Sequence, residues 1–361
     1  MEKLFMKGNE AIAEAAVRAG CRFFAGYPIT PQNEIPEYLS RRLPEVGGAF
    51  VQAESEISAI NMVYGSAATG TLAMTSSSGP GISLKSEGIS SLAGAQLPAV
   101  IVNVMRDGPG TGAIQAAQAD YLQATRASGH GGFRMIVFAP ASVQEAVDLT
   151  VKAFECAARD SNPSLVLLDG CIGAMMEPVI LPPLKKTERL RYAGAGAKCL
   201  NPSGKDVMVV TSTLVRPDFQ EVLNKQAAEM YDRWGREDVM AEEYQMEDAE
   251  YVVAAYGTSA RTAKTAIREL RNEGVRVGLI RPITLYPFPS GAFARLDPHK
   301  VKFIMNTEMS IPAQMIDDVR LAVSNRIRVE TCCCSGGIMM TNEDVSEALK
   351  NLLSQCKEGV E

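Results

Sequence analysis

Cysteine pairs at metal-ligand spacing, histidine, tryptophan and long apolar runs are what this 361-residue sequence has least of. No two of its eight cysteines stand as Cys-x-x-Cys, which leaves no iron–sulfur pattern in the chain. Their irregular spacing argues against a disulfide framework and for reduced thiols. Cys332, Cys333 and Cys334 are adjacent behind an Arg-Val-Glu-Thr run that reads as a strand. Alternation then sends neighbours to opposite faces, and the three do not converge on one metal. The two histidines, His130 and His299, are far apart in sequence and neither is near a cysteine. No metal site is expected, and any redox metal belongs to other chains. No apolar run approaches the ~18 residues of a spanning helix, and the first residues mix Lys, Glu and Asn instead of forming a leader. A cytoplasmic protein without membrane contact is the expectation. A net charge of -6 leaves no footprint for nucleic acid.

What is present is alternation. Short apolar runs at 21–25, 49–52, 71–75, 99–105, 135–139 and 164–168 read as strands. Helical stretches at 9–20, 32–43, 54–69, 82–95, 114–127 and 142–159 separate them. Such alternation predicts an α/β fold with a parallel sheet covered by helices on both faces. From 171 to 205 the pattern dissolves into Pro, Gly and Lys and reads as a linker, and 218–248 reads as a charged helical arm carrying Trp234. A second, smaller α/β pattern follows, with strands at 251–256, 275–280, 301–305 and 328–333. The expected division is therefore residues 1–170, a linker and arm at 171–248, and a second domain at 249–361.

The stretch from Gln52 to Gly81 is the densest in chemistry. At helical spacing Glu56, Ile60, Val63 and Ala67 fall on one stripe, while Glu54, Ser58, Asn61 and Gly65 fall on a mostly polar one. Glu56 is expected to face the core and Glu54 to stay outside. A carboxyl group in apolar surroundings is suited to sharing a proton with a buried basic nitrogen. Two glutamates at a helix start also complement the positive end of its dipole, and the pattern alone leaves both readings open.

Three loops raise further candidates. Thr30-Pro31 ahead of a helix is a good capping pair, and it also lies at the carboxyl end of a strand, where open α/β sheets bind ligands. Arg106 ends an apolar strand at the same edge, where its fork can hold a carboxylate or simply reach solvent. Gly108-Pro109-Gly110-Thr111-Gly112-Ala113 satisfies a dinucleotide fingerprint, which would make the chain a nucleotide-dependent dehydrogenase. Against that, no acidic residue ends the next strand, and Pro109 removes a phosphate-facing N–H. The loop reads instead as a wall of a substrate pocket. Ser78-Gly79-Pro80-Gly81 reverses the chain ahead of a helix.

Taken together, Gly26-Tyr27-Pro28-Ile29-Thr30-Pro31, the Glu-x-Glu-Ile-Ser-Ala-Ile-x-Met-Val-x-Gly run, Ser78-Gly79-Pro80-Gly81 and the strand ending in Arg106 resemble the alpha-type subunit of 2-oxoacid:ferredoxin oxidoreductases. The resemblance runs past residue 320 and is nearest to the branched-chain (2-oxoisovalerate) members. It implies a pyrimidine-binding domain of the thiamine diphosphate enzymes, followed by a transketolase C-terminal-like domain, with Arg281-Pro282-Ile283-Thr284-Leu285-Tyr286-Pro287 similar to a motif of the latter. It implies that Glu56 is catalytic and exchanges a proton with the cofactor's aminopyrimidine. It also implies that Ser78, Gly79 and Pro80 support that ring, and that Thr30, Arg106 and Tyr27 contact the 2-oxoacid. The Gly-Asp-Gly signature for Mg2+ and diphosphate is missing, since Asp169-Gly170 lacks the first glycine. A beta-type partner that holds Mg2+ and the diphosphate is therefore expected. Gamma-type and ferredoxin-like delta-type subunits would carry the iron–sulfur clusters, with ferredoxin as acceptor and coenzyme A as co-substrate. The activity implied is oxidative decarboxylation of 2-oxoisovalerate to acyl-CoA and CO2. The alternatives are 2-oxoglutarate or pyruvate as substrate, or a non-catalytic scaffold subunit that keeps the fold and binds no cofactor.

Overall fold

The computed structural model describes residues 3–126, 128–186, 210–213 and 216–358. Its first part runs β1 (Leu4–Lys7), α1 (Gly8–Ala19), β2 (Phe23–Gly26), α2 (Glu34–Glu45), β3 (Ala49–Gln52), α3 (Glu56–Ala68), β4 (Ala73–Ser77), α4 (Pro80–Gly94), β5 (Val100–Asp107), β6 (Ala113–Ala116), α5 (Tyr121–Thr125), β7 (Ile136–Phe138), α6 (Val143–Asp160), β8 (Ser164–Asp169), α7 (Gly170–Ala174) and β9 (Met176–Val179). Then follow α8 (Pro217–Glu237), β10 (Ala241–Tyr244), β11 (Tyr251–Ala255), α9 (Gly257–Asn272), β12 (Val277–Pro282), β13 (Thr284–Tyr286), α10 (Ser290–Ala294), β14 (Phe303–Glu308), α11 (Ile316–Ala322), β15 (Arg328–Cys333) and α12 (Asn342–Glu358).

The apolar runs at β4, β5 and β8 are buried throughout, as strands covered on both faces must be. They sit at the centre of a sheet ordered β13-β7-β8-β5-β4-β2-β3, parallel except for β13, with β6 attached to the end of β5. One face packs Ile60, Val63, Ile89 and Ile101 together, and the other packs Ile12, Leu39, Val100 and Val102. Each such fully buried side chain contributes about 1.5–3 kcal/mol of transfer free energy. The second sheet, β10-β12-β11-β14-β15, is parallel except for β10.

Buried polar side chains join the two sheets. Asp169 accepts from the Thr258 amide at 2.9 Å and from its hydroxyl at 2.6 Å. Gln118 donates to the Tyr256 carbonyl at 2.9 Å and accepts from Ser259 at 2.7 Å and from the Met309 amide at 2.9 Å. Glu308, also fully buried, accepts from the amides of Gln314 and Met315, and burial pushes it up to about 7.

Several local expectations are corrected. Residues 114–127, read as a helix, hold β6 and the short α5, because the chain after Gly112 folds back on β5, with Ala116 opposite Arg106. The linker reading of 171–205 is wrong at its start: α7 and β9 lie there, and β9 pairs with β1. Its stretch from 187 lies outside the described residues. The charged arm is helical only to Glu237, and Ala241–Tyr244 joins the second sheet as an antiparallel edge. Trp234 anchors that arm, 1% exposed, with its indole N–H donating to Asp160 at 2.7 Å. Within the 281–287 motif, Thr284–Tyr286 returns to the first sheet and pairs with β7.

Candidate active site

Parallel register brings the carboxyl ends of the central strands to one edge, with Ser77 opposite Asn103 and Met105 opposite Asp169. The loops leaving β2, β4 and β5 meet there, and so do the first turns of α3 and α4. The helices come close because Gly88 carries no side chain: a Cβ there would stand 2.5 Å from Ile60.

The first residue of α3 is Glu56, behind Ser55, whose hydroxyl caps the helix by accepting from the Ser58 amide at 3.2 Å. Glu56 is 7% exposed and sits with Ala59, Ile60, Val63 and Ala67 on the buried stripe, whereas Glu54 is exposed and accepts from Ser58. The Glu56 carboxylate accepts no hydrogen bond from the described residues. Its Oε1 would lie 2.8 Å from a Cβ at Gly81, and Ser77 Oγ only 2.1 Å. The hydroxyls of Ser77 and Ser78 are buried without a partner. Gly79 has φ +45°, a conformation that favours glycine, and Pro80 opens α4. This is a small polar cradle between two helix N-termini, with the Glu56 carboxylate and the Ser77 hydroxyl both turned toward Gly81.

Arg106 closes the far side. It is buried, and its two terminal nitrogens donate to the Thr30 carbonyl at 3.2 Å and the Thr111 carbonyl at 2.8 Å. Its Nε has no partner and faces Gly79, where a Cβ would stand 3.3 Å away. The structure therefore brings together Thr30, Arg106 and Gly79 on one side, and Glu56, Ser77 and Gly81 on the other. Tyr27 is 38% exposed at the mouth, tied in through its carbonyl, which accepts from Gln32 at 3.3 Å. Thr30 and Pro31 are not the helix cap they resemble. They form a turn ahead of α2, which starts at Glu34 behind Asn33, because Gln32 is fully buried and bonds Ser76 and Tyr27 instead of opening the helix.

Two residues were missed. Lys85 is fully buried on the stripe Ile82, Lys85, Ile89, Leu92 of α4 and donates to Thr75 at 3.0 Å. The stripe test that selects Glu56 would also have selected it. Asp120 accepts from Asn103 at 2.9 Å and from the Gly79 amide, while burial raises it above the usual carboxylate range. No local pattern signals that bond. The fingerprint at Gly108 leads into strand β6, whereas a dinucleotide site needs a helix there, so the dehydrogenase reading loses its structural basis. Asp169 spends both oxygens on Ile172 and Thr258. Among the described residues no group of three His, Cys, Asp or Glu side chains could hold a metal.

Comparison with known proteins fits this geometry. The family described as pyruvate flavodoxin/ferredoxin oxidoreductase, thiamine diphosphate-binding, matches residues 14–250, and pyruvate:ferredoxin oxidoreductase core domain II matches residues 249–345. The ketoisovalerate oxidoreductase subunit VorB of Methanothermobacter thermautotrophicus is 47% identical over 98% of each chain. The 2-oxoglutarate synthase subunit KorA of Methanocaldococcus jannaschii is 38% identical over 83% of this chain and 87% of that one. Among solved structures, the 2-oxoglutarate:ferredoxin oxidoreductase from Magnetococcus marinus superposes with a TM-score of 0.86 at 24% identity. It is covered over 97% of this chain and 65% of its own length, and the likeness speaks for the fold alone. The matched family models define a thiamine-diphosphate-type α/β oxidoreductase component. The chain belongs to the 2-oxoacid:ferredoxin oxidoreductase family, as one of its separate subunits.

Proposed function

We propose that this chain supplies the proton-handling half of a split thiamine diphosphate site in a cytoplasmic complex that oxidises a branched-chain 2-oxoacid such as 2-oxoisovalerate. The products are acyl-CoA, CO2 and reduced ferredoxin. The observation that carries the proposal is Glu56, a nearly buried carboxylate that accepts no hydrogen bond from the described residues and faces a cradle with two unpartnered hydroxyls. The Ser77 and Ser78 hydroxyls are buried without a partner, which is costly unless a ligand satisfies them. The substrate choice rests on relatives named for ketoisovalerate at 47% and 46% identity, against 38% for one named for 2-oxoglutarate and 30% for one named for pyruvate.

The residues present suit the pyrimidine end of the cofactor: Glu56 for a ring nitrogen, and Ser78, Gly79 and Pro80 as the turn beneath the ring. When bound, thiamine diphosphate supplies the carbon nucleophile and the electron sink for decarboxylation. Glu56 holds and moves a proton at its carboxylate oxygens. Arg106 and Thr30 orient the 2-oxoacid carboxylate, with Tyr27 at the mouth, and the buried cradle keeps bulk water from the proton path. Among the described residues no group of three His, Cys, Asp or Glu side chains could hold Mg2+, and the sequence lacks the Gly-Asp-Gly signature that binds it with the diphosphate. A beta-type chain is proposed to hold both, gamma- and ferredoxin-like delta-type chains to complete the assembly, and the iron–sulfur clusters to lie in those partners. A carboxylate kept on the apolar stripe of α3 also weighs against a silent scaffold.

The test is dependence on assembly. The chain purified alone is expected to bind thiamine diphosphate negligibly and to be colourless. Co-purified with its partners, it should bind the cofactor and reduce viologen dye with 2-oxoisovalerate in preference to 2-oxoglutarate or pyruvate. Tight cofactor binding or 2-oxoacid oxidation by the lone chain would overturn the split site. Within the assembled enzyme, Arg106→Lys should raise the KM for the 2-oxoacid roughly 10- to 100-fold, the worth of charge-assisted hydrogen bonds lost with the fork. Cofactor affinity should stay unchanged, and an unaltered KM would remove Arg106 from the substrate site.

A further inference from the structure

Among the bulkiest fully buried side chains, Lys85 alone is charged. It lies in the seam between α4 and the sheet, one helical turn below the cradle, and the chemistry proposed above makes no use of it. An ammonium in such a seam is disfavoured by desolvation and persists where something compensates it. Two things do. Its Nζ donates to Thr75 Oγ1 at 3.0 Å, and Thr75 in turn donates to the Ala25 carbonyl at 2.7 Å, which ties the ammonium to β4 and β2. The second is the Glu56 carboxylate on α3, which packs against α4 at Gly81, one turn before Lys85. A Cβ at Gly81 would stand 2.8 Å from Glu56 Oε1 and 2.1 Å from Ser77 Oγ, two residues along β4 from the Thr75 that holds the ammonium. The two charges therefore face each other through space without direct contact. Burial draws Lys85 down to about 8, and Glu56 pulls the other way. From α3 the facing charge is Glu56, while β4 and β2 offer only the Thr75 hydroxyl and the Ala25 carbonyl, and among the described residues no other charged group bears on Lys85.

We propose that Lys85 is a positioning residue for the reaction: its ammonium is the standing counter-charge that keeps the buried Glu56 carboxylate ready to take a proton. The inference rests on the role given to Glu56 above. Without Lys85, an ionised Glu56 would lose the ammonium packed on its own side of the cradle and keep only Arg106 across it, whose terminal nitrogens are committed to the Thr30 and Thr111 carbonyls. The pairing also has a pH limit. As pH rises through about 8 the ammonium loses its proton and the counter-charge disappears. Stability moves the other way, because the folded state holds this proton less tightly than the unfolded chain does. The burden of burying the charge is present below about 8 and is relieved as pH climbs toward the ordinary lysine value of 10.5.

The experiment uses the complex assembled with its partner chains and compares wild type with Lys85→Met, Lys85→Arg and Glu56→Gln. Thiamine diphosphate affinity is measured by calorimetry without 2-oxoacid, from about pH 6.5 to about pH 9.5, with thermal melting alongside. Wild-type affinity should weaken about tenfold across that window, or ~1.4 kcal/mol. Lys85→Met should start at the weak value and stay flat, while Lys85→Arg, always charged, should hold the tight value throughout. The melting temperature of wild type relative to Lys85→Met should rise over the same window. A merely structural lysine would lower melting in Lys85→Met and leave the slope of affinity with pH intact, which overturns the proposal. If neither lysine variant assembles, a wild-type affinity that is flat through pH 8 overturns it, and a tenfold fall supports it. Weakening by Glu56→Gln with no effect of either lysine variant sinks Lys85 alone. No effect of Glu56→Gln sinks the reading of Glu56 beneath it.

Discussion

Glu56→Gln is expected to leave the subunit folded and assembled and to lower 2-oxoacid-dependent turnover by roughly 10²- to 10⁴-fold, the usual worth of a positioned acid or base. The amide has the shape of the carboxylate and removes only its capacity to take and return a proton. No hydrogen bond within the described chain is lost, because the carboxylate makes none, and the helix keeps its cap at Ser55. What does change is the charge facing Lys85, so a modest shift in melting is compatible with the argument. Glu54→Gln is the matched control two residues away. Its exposed side chain bonds Ser58 and its own backbone amide, and the change should do little. Single-turnover rates in the assembled enzyme, with melting curves for both variants, make the comparison. Equal losses from the two changes, or none from either, would show that the buried carboxylate is not the proton carrier.

How far the sequence reaches depends on whether a feature is settled locally. The stripe Glu56, Ile60, Val63, Ala67 is a local periodicity, and the structure buries all four while leaving Glu54 outside. The alternation of buried strands and helices is local too, and the first sheet follows it through β8. The misreadings lie where distant groups decide. Residues 114–127 carry a helical pattern, yet pairing with β5 and the bonds of Gln118 to Tyr256 and Ser259, some 140 residues on, hold the segment in another shape. Thr30-Pro31 has the letters of a cap, but the burial of Gln32 against Ser76 delays the helix to Glu34. Arg106 is recognisable as a charge at a strand end. That its fork braces two loops through Thr30 and Thr111 depends on contacts across 76 residues in one case and a reversed loop in the other. Lys85 was legible by the same periodicity as Glu56. A lysine on an apolar stripe is easily taken for a side chain that reaches solvent along its stem, and here it stays inside.

Gly81→Ala should cost the assembled enzyme on the order of 10²-fold in turnover while leaving its melting temperature within a few degrees, the loss expected when a reacting group is displaced by about 1 Å. Gly81 lies in the first turn of α4 with no positive φ, so the backbone accepts alanine, which is the better helix former by about 1 kcal/mol. The damage is confined to what the new methyl meets. It would stand 2.1 Å from Ser77 Oγ, 2.8 Å from Glu56 Oε1 and 3.1 Å from Glu56 Cγ. Ser77 can turn away without breaking a hydrogen bond, since its hydroxyl has none. Glu56 has less freedom, because its backbone begins α3 and Ser55 fixes that start. The carboxylate is therefore pushed out of the cradle while the fold stays. Gly65→Ala serves as the control, on α3 itself, where an added Cβ meets nothing within 4 Å. Thiamine diphosphate affinity should fall with turnover in Gly81→Ala and hold in Gly65→Ala. Wild-type turnover in Gly81→Ala would mean that the space between Ser77 and Glu56 is not where the cofactor's proton is exchanged.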